Sequence, residues 1–600
     1  MGQAVKKLFI LIAFLLCAQS AWGLTEVPGN GVDDDASGGD ATCAAPDADC
    51  DGYTTDGSSG LDGIDCDDTN RRIFPGVEVW TSGTSWKTCQ TDGTYTAAGN
   101  SCPGGTCYYI DPTSGNDANA GTSAAAAFQT FKQVSYYASG APANNKHSAL
   151  ACGDHIYLLP GTYNTGQFHT ESGFSVVNLL IKDKTCTTNN RIKIHAIGAV
   201  VFDAGGTSGT DGVSITSDGS AIWIENSDFI EVKGNTAGEI KNFFSGGAST
   251  EKGAIKIRDS SNIELQGWSI HDNHGDGDNN VAGIYVSLTD DINIHHNDVF
   301  DEIRTIGNPA GVNLIRGFKG TNVRIYLNSL RYTPAATAYN SVSIKHGDYA
   351  SVCRFDHNLV SKAPGFASAC ADDTFDHNIV ADPDNSNPST CTADDTSAFM
   401  MCDLGGPAFD GTQVVKYNTV INGRMSNWMP VNDYDTDGSG CTDCGTFGTL
   451  AVSHNVAVES ASSGYYGAAA MEMVNPYGSN ADYTSVIDGG KWTVANSCYY
   501  NSGAATLVYA AYAGSPAPNG FSYDYSGFTG AGYCSGCQYA NPTLNSRLEA
   551  TAGTCSGTAG WNVGWLSNLG TGCTSCSPST PATSNPAHLI NHVLWRHNRR

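Results

Sequence analysis

A short motif recurs eight times between residues 230 and 455: apolar residues two apart, a polar pair, and then, in most copies, asparagine. Its copies are Ile292-Asn-Ile294-His-His-Asn297, Val323-Arg-Ile325-Tyr-Leu-Asn328, Val352-Cys-Arg-Phe355-Asp-His-Asn358, Phe375-Asp-His-Asn378, Val414-Val-Lys-Tyr417-Asn418 and Leu450-Ala-Val452-Ser-His-Asn455. Two variants precede them, Ile230-Glu-Val232-Lys-Gly-Asn235 and Ile263-Glu-Leu265-Gln-Gly-Trp268. The steps are 33, 29, 31, 30, 20, 40 and 37 residues, so uniform short strands are joined by loops of uneven length. Apolar residues two apart mean a strand with one buried face, and no single strand of this length buries that face by itself. Stacking each strand on its counterpart in the next coil makes parallel sheets around a shared interior. Asparagine at one position per coil stacks into a ladder of side-chain amides. An antiparallel sandwich would need a hairpin every 8–12 residues or so and gives asparagine no register. The expected fold is all-β, a parallel solenoid, its eight coils rising roughly 40 Å.

The chain ends differ from this body. Lys6 and Lys7 precede an apolar run at residues 8–16 and a small-x-small site at Ala21-Trp22-Gly23, the pattern of a secretory signal too short to span a bilayer. Of 21 cysteines, Cys17 leaves with the signal, and the remaining 20 are expected as disulfides in an oxidising compartment. Cys441/Cys444, Cys534/Cys537 and Cys573/Cys576 are CxxC pairs too far apart for zinc, and local disulfides suit them better. The expected organisation is a signal at 1–23, an acidic module at 24–80, a cysteine-containing linker at 81–107, the solenoid at 108–566, and a Ser/Thr/Pro-rich linker with a basic tail at 567–600.

The acidic module holds 14 Asp+Glu against two Arg, in a chain whose formal charge is -28. So acidic a chain repels phosphate, which excludes nucleic acid as a partner. In Asp47-x-Asp49-x-Asp51-Gly52 the carboxylates stand at the first, third and fifth places of a loop with glycine sixth. That spacing wraps oxygen ligands around Ca²⁺, and the Tyr53 carbonyl adds a seventh-place ligand. Ser58 stands at the twelfth place, so this is no EF-hand, and the closing carboxylates must come from Asp65-Cys66-Asp67-Asp68. Together with Pro75-Gly76-Val77-Glu78, these motifs resemble the MopE-type metal-binding repeat, related to thrombospondin type 3 calcium repeats. The resemblance covers about 55 residues and implies Asp47, Asp49, Asp51, Tyr53, Asp65, Asp67, Asp68 and Glu78 as the Ca²⁺ set. Upstream, Pro28-Gly29-Asn30-Gly31-Val32-Asp33-Asp34-Asp35 resembles the same family's closing half-motif and departs at Ala36, where cysteine usually follows. Asp433-x-Asp435-x-Asp437-Gly438 repeats the loop without an acidic closer and is a second, weaker metal candidate.

From residue 108, Tyr109 to Thr130 and Gly153-Asp154 to Pro160-Gly161-Thr162-Tyr163 lead into the repeats. With them, the chain resembles right-handed parallel β-helix proteins of the pectate-lyase-like superfamily over about 108–566. The resemblance implies outward basic residues on a strand that abstract a sugar proton. Lys345, in Val342-Ser-Ile344-Lys345-His346, is the best candidate base, with Arg316 and Arg258 as companions. Glu225, Arg258, Ser287 and Lys345 are expected to share one external column. The histidines preceding asparagine are read as polar fillers of the ladder.

Two readings stand at this stage. One is an exported calcium-binding β-helix that binds, and cleaves by lyase-type β-elimination, an acidic uronate-containing polysaccharide. The other is a non-catalytic, adhesin-like surface protein with a glycan-binding face on which Trp223, Trp268 and Tyr285 form a passive platform. Both take a polysaccharide or cell-surface glycan as partner and contain no transmembrane segment.

Overall fold

The computed structural model describes residue 28 and most of residues 47–560. Residues 1–27, 29–46, 561–600 and a series of loops, the longest being 206–218, 332–341, 383–396, 430–448, 459–468 and 476–491, lie outside the described residues. The expected signal, the tail and Asp433, Asp435 and Asp437 therefore lie outside them too.

The body is a right-handed parallel β-helix with two long sheets and a short-stranded third. Parallel strands of the first sheet stack from Val176–Lys182 through Val281–Ser287 and Val312–Phe318 to Thr506–Tyr512. Its spine is a column of isoleucines, Ile222, Ile255, Ile284, Ile315 and Ile344, each paired in register with the next and fully buried. Repeating one β-branched residue at one place per coil fills the interior with identical pleated contacts.

The second sheet carries the eight repeats. Leu265, Ile294, Ile325, Phe355, Phe375, Val415 and Val452 follow one another in register, so in the 414 copy the core residue is Val415. A third column runs from Val299 through Leu330, Val360, Val380, Val420 and Ala457 to Tyr499. Between these two columns the chain turns at the asparagine. Asn297 donates its backbone N–H and its Nδ2–H to Asn328 Oδ1, both at 3.1 Å. The pattern repeats from Asn328 to Asn358, Asn378, Asn418 and Asn455, and ends where the Asn455 amide donates to Ser497 Oγ at 3.1 Å. Each residue just before an asparagine is left-handed: His296, Leu327, His357, His377, Tyr417 and His454 have φ between 53° and 58°. Non-glycine residues populate that region at a cost, and the ladder they enable offsets it. In the two variant copies the strands Ile230–Lys241 and Ser261–His271 run on through the corner. A Cβ on Gly234 would lie 2.3 Å from the Gly267 carbonyl oxygen, so glycine is required where these two coils touch.

Two histidines of the turn column, His357 and His377, are fillers, as expected. His357 and His377 stack at 4.8 Å, and each bonds the aspartate before it, Asp356 or Asp376, at 2.8 Å. Outside them Arg324 grips Asp356 through two bonds of 2.9 and 2.6 Å, and Arg354 grips Asp376 through two of 2.9 and 2.7 Å. Despite burial, both carboxyls are held below the ordinary carboxylate range, Asp356 by Arg324 and Arg354, and Asp376 by its bond to His377 and by Arg354. A depressed folded value contributes stability that is present above the unfolded value near 4 and drains as pH falls through the depressed one. Arg354→Ala is expected to cost about 3 kcal/mol at neutral pH, by leaving Asp376 buried without its partner. The loss should shrink as pH falls below about 4, and denaturant titrations at several pH values check both.

Disulfides join Cys66–Cys89, Cys102–Cys107, Cys152–Cys186, Cys498–Cys555 and the CxxC pair Cys534–Cys537. Cys353, by contrast, is a core thiol in register with Val323, so the 20 expected partners cannot all be paired with one another. Its place in the apolar column explains it as a small hydrophobe. The segment after Thr130 forms a 3₁₀ turn, Phe131–Gln133. Among the described residues no helix is long and apolar enough to cross a membrane.

Candidate functional site

The aspartate loop folds as its spacing demands. Asp47 accepts the Asp51 and Gly52 amides through its two oxygens, at 3.2 and 3.0 Å, and Gly52 makes the sharp turn at φ 88°. Asp49 Oδ1 also accepts from the Asp51 amide, and Asp51 Oδ1 accepts the Tyr53 amide at 2.7 Å. The second half of the motif closes from across the loop. Asp68 Oδ1 accepts the Ala48 amide at 2.8 Å, Asp65 Oδ1 accepts the Asp67 amide, and Cys66–Cys89 staples this half to the following hairpin. Carboxylate oxygens of Asp49, Asp51 and Asp65 lie within 4.8 Å of one another, as do those of Asp47, Asp49 and Asp68.

Three of these carboxylates hold the backbone with one oxygen and leave the other buried: Oδ2 of Asp49, Asp51 and Asp65 has no hydrogen-bond partner. Burial, reinforced by the neighbouring aspartates, pushes the Asp49 carboxyl up to about 8 and Asp51 well above its ordinary value. Burial likewise raises Asp65 to about 6. Converging, buried, unsatisfied anionic oxygens are what a hard divalent cation satisfies, and the all-oxygen set fits Ca²⁺ better than a soft metal.

Not every expected ligand joins them. Asp67 belongs to neither carboxylate group and accepts the Thr69 hydroxyl at 2.6 Å. Tyr53 contributes its place in the loop, while its ring stacks on Phe74 at 5.6 Å. Glu78 goes elsewhere: its carboxylate receives His195 Nδ1 at 2.9 Å, and His195 Nε2 reaches Glu231 at 3.1 Å. Glu78 is held down to about 2, against its own burial, by His195 and Lys233. It opens the strand Glu78–Ser82, which pairs with Ser85–Thr88, so this hairpin crosses the boundary expected at residue 80.

The loop is docked on the body. Asp51 O lies 2.7 Å from His296 Nε2, and Phe74 stacks on His296 at 4.0 Å. Arg71 donates to the Leu327 carbonyl at 2.8 Å, and Lys233 donates to the Gly76 carbonyl at 3.3 Å.

The candidate catalytic residues lie on the first sheet, whose outward face carries cations and aromatics. Lys345, placed by its strand Val342–Gly347, is in register with Arg316, and beyond it follow Tyr285, Lys256 and Trp223. Lys256 Nζ sits 4.1 Å over the Trp223 ring and Arg316 Cζ 6.0 Å from the Tyr285 ring. The expected column of Glu225, Arg258, Ser287 and Lys345 needs correcting, because after Ser287 it continues to Phe318 and Gly347. Arg258 stands about 14 Å across the strands and about 7 Å along them from Lys345, given the strand spacing and rise. Aligning on the last apolar residue of each strand slips the register by two, and a slip of two leaves every side chain on its own face. Alternation alone therefore cannot reveal it. In the Arg258 column, Lys182 lies 3.4 Å from Glu225, whose carboxyl is raised by burial against the pull of Lys182 and Arg258. Asp276 and Asp278 lie outside the described residues, and Asp290 and Asp291 are exposed at the start of a second-sheet strand.

No family model and no curated protein matches the chain. Among solved structures it is similar to pectate lyase Pel9A, at 14% identity over 60% of this chain and 76% of that one, with a TM-score of 0.34. It is also similar to XylC in complex with xylose, at 11% identity over 68% and 86%, with a TM-score of 0.34. A variant of the PL6 family alginate lyase AlyGC matches at 12% identity over 69% of this chain, with a TM-score of 0.33, and this chain spans only 55% of it. Likeness at this level assigns no activity. Coil by coil, the fold is a right-handed parallel β-helix.

Proposed function

We propose that the chain is an exported calcium-binding β-helix protein that engages uronate-containing polysaccharide on the outward face of its first sheet and cleaves it by β-elimination. The observation that carries the cation is the set of buried, unpartnered Oδ2 atoms of Asp49, Asp51 and Asp65. The ion would be held by Asp47, Asp49, Asp51, Asp65 and Asp68, supplying charge compensation and fixing the loop. Asp67 and Glu78 are left out of this set, and the Tyr53 carbonyl keeps its seventh-place role. The loop sits against second-sheet residues, so its ion is structural and separate from chemistry on the first sheet. The disulfides fit an oxidising compartment.

Support for the glycan comes from Trp223, Lys256, Tyr285, Arg316 and Lys345 in one column of a chain with 31 basic against 59 acidic residues. Aromatic faces stack on sugar rings, and guanidinium pairs with a uronate carboxylate. In this reading the Lys345 amine takes the proton α to the carboxylate. The released electron pair forms the carbon–carbon double bond as the glycosidic oxygen leaves and takes a proton from solvent, while Arg316 pairs the carboxylate.

A second reading, glycan binding without cleavage, is favoured by the packing of Lys256 on the Trp223 ring and of Arg316 near the Tyr285 ring, an arrangement of cation–π contacts instead of acid–base groups. Incubation with alginate, pectate and hyaluronan, followed for unsaturated product, separates the two. Cleavage predicts product from at least one polymer and a loss of about 100-fold or more in Lys345→Ala, the scale of a removed general base. Retention of polymer with no product on any of them supports the second reading, and neither product nor retention overturns both.

A further inference from the structure

We propose that His296 is the outer anchor of the cation loop, fixing the Asp51 carbonyl so that cation binding in the loop and docking of the loop on the coils are coupled. The inference rests on the cation reading above and adds a residue from the body, some 245 positions away in sequence from the loop it holds.

Asp51 has two connections. Its side chain puts Oδ1 on the Tyr53 amide and leaves Oδ2 among the aspartates, while its backbone carbonyl faces His296 Nε2 at 2.7 Å. A carbonyl only accepts, so His296 Nε2 carries the hydrogen and donates it. On the other side of the ring, His296 Nδ1 faces His295 Nδ1 at 2.6 Å, and two nitrogens so placed share one proton. His295 in turn reaches Glu264 at 3.5 Å and stacks on Tyr326 at 4.7 Å. The imidazole that meets the loop is thus oriented by groups of the body.

The turn fixes it further. His296 occupies the left-handed position before Asn297, at φ 53°, and the ladder holds Asn297. His357 and His377 occupy the same position in later coils, and both bond aspartates of their own strands. His296 instead bonds a different segment. From the loop side, the Phe74 ring lies 4.0 Å from the His296 ring and 5.6 Å from the Tyr53 ring, with Tyr53 itself 6.3 Å from His296, a cluster of three rings. The neighbouring left-handed residue, Leu327, receives Arg71 through its carbonyl.

A residue that orients a ligand-bearing segment typically shifts metal affinity 10- to 100-fold when removed, roughly the range for outer partners at metal sites. Coupling is reciprocal: whatever docking adds to cation affinity, the cation adds to docking. The test is calorimetric titration of the full chain with CaCl₂, together with limited proteolysis with and without the ion. His296→Ala is expected to weaken Ca²⁺ binding about 10-fold and to reduce the protection Ca²⁺ gives the loop. His296→Gln, which keeps an N–H donor, should recover part of both. His357→Ala, in the same column but bonded to Asp356 of its own strand, should leave Ca²⁺ affinity unchanged. Where His296→Ala does not fold, Phe74→Leu probes the anchor from the loop side with the same expected weakening. Unchanged affinity in His296→Ala, or equal weakening in His357→Ala, would overturn the anchor alone. A wild-type chain that binds no Ca²⁺ would overturn the cation reading and the anchor with it.

Discussion

Replacing Asn378 by leucine is expected to destabilise the protein by about 4 kcal/mol or more, since several buried groups lose partners worth roughly 1–3 kcal/mol each. The Asn378 side chain donates to the carbonyls of Phe355 and Asp376 and to Asn418 Oδ1. Its Oδ1 accepts both the backbone and side-chain N–H of Asn358. Leucine matches the volume and answers none of these groups. The flanking left-handed residues His357 and His377 would then keep their backbone cost while losing the ladder that offsets it. Denaturant unfolding measures the loss. Asn293→Leu, at an exposed position of a second-sheet strand, should stay within about 0.5 kcal/mol. The penalty should fall at Asn455, where the ladder passes to Ser497. A loss below about 1 kcal/mol at Asn378 would mean that the apolar columns alone hold the coils in register.

The second large effect separates charge from metal. Asp51→Asn should remove most of the response to Ca²⁺ and, in chelator, raise the melting temperature above that of the unsubstituted chain. Without a cation, burial and the neighbouring carboxylates force Asp49 and Asp51 to take up protons at neutral pH at a cost in stability, so a neutral amide at one position removes that cost. With the cation present the order reverses. Ca²⁺ at about 100 times its dissociation constant stabilises the folded chain by about 2.7 kcal/mol. Stabilisation of that size raises the melting temperature of a chain this long by about 2 °C, a gain the variant forgoes. Melting curves of both chains in chelator and in excess Ca²⁺ give all four values. A variant that melts lower than wild type under both conditions would point to a loop held by hydrogen bonds alone.

The body was legible in sequence because a coil repeats the same contact each time. Ile292, Val323 and Cys353 answer one another, and so do Asn297, Asn328 and Asn358, so the chain prints its packing periodically. The aspartate loop was legible for a different reason, since ligands that wrap one ion must lie at short fixed spacings. Long-range pairing was not legible. Glu78 sits beside the motif in sequence, yet its partner His195 is 117 residues away, and nothing local announces it. The outward columns of the first sheet were misread by two residues, and a two-residue slip leaves the inward–outward alternation unchanged. Counting from the isoleucine spine at Ile315 and Ile344 would have found Arg316 beside Lys345. Cys353 looked like a disulfide partner because parity says nothing of depth, and its place in the core column decides its role.

Calcium content of the purified chain tests the central claim most directly. After dialysis against trace Ca²⁺, elemental analysis of the wild type should find at least one tightly held calcium per chain, removable by chelator. The triple variant Asp49→Asn, Asp51→Asn, Asp65→Asn, which keeps the loop-bonding oxygens and removes the buried charge, should hold none at that site. A wild-type chain free of calcium, or a triple variant that retains it in full, would contradict the account.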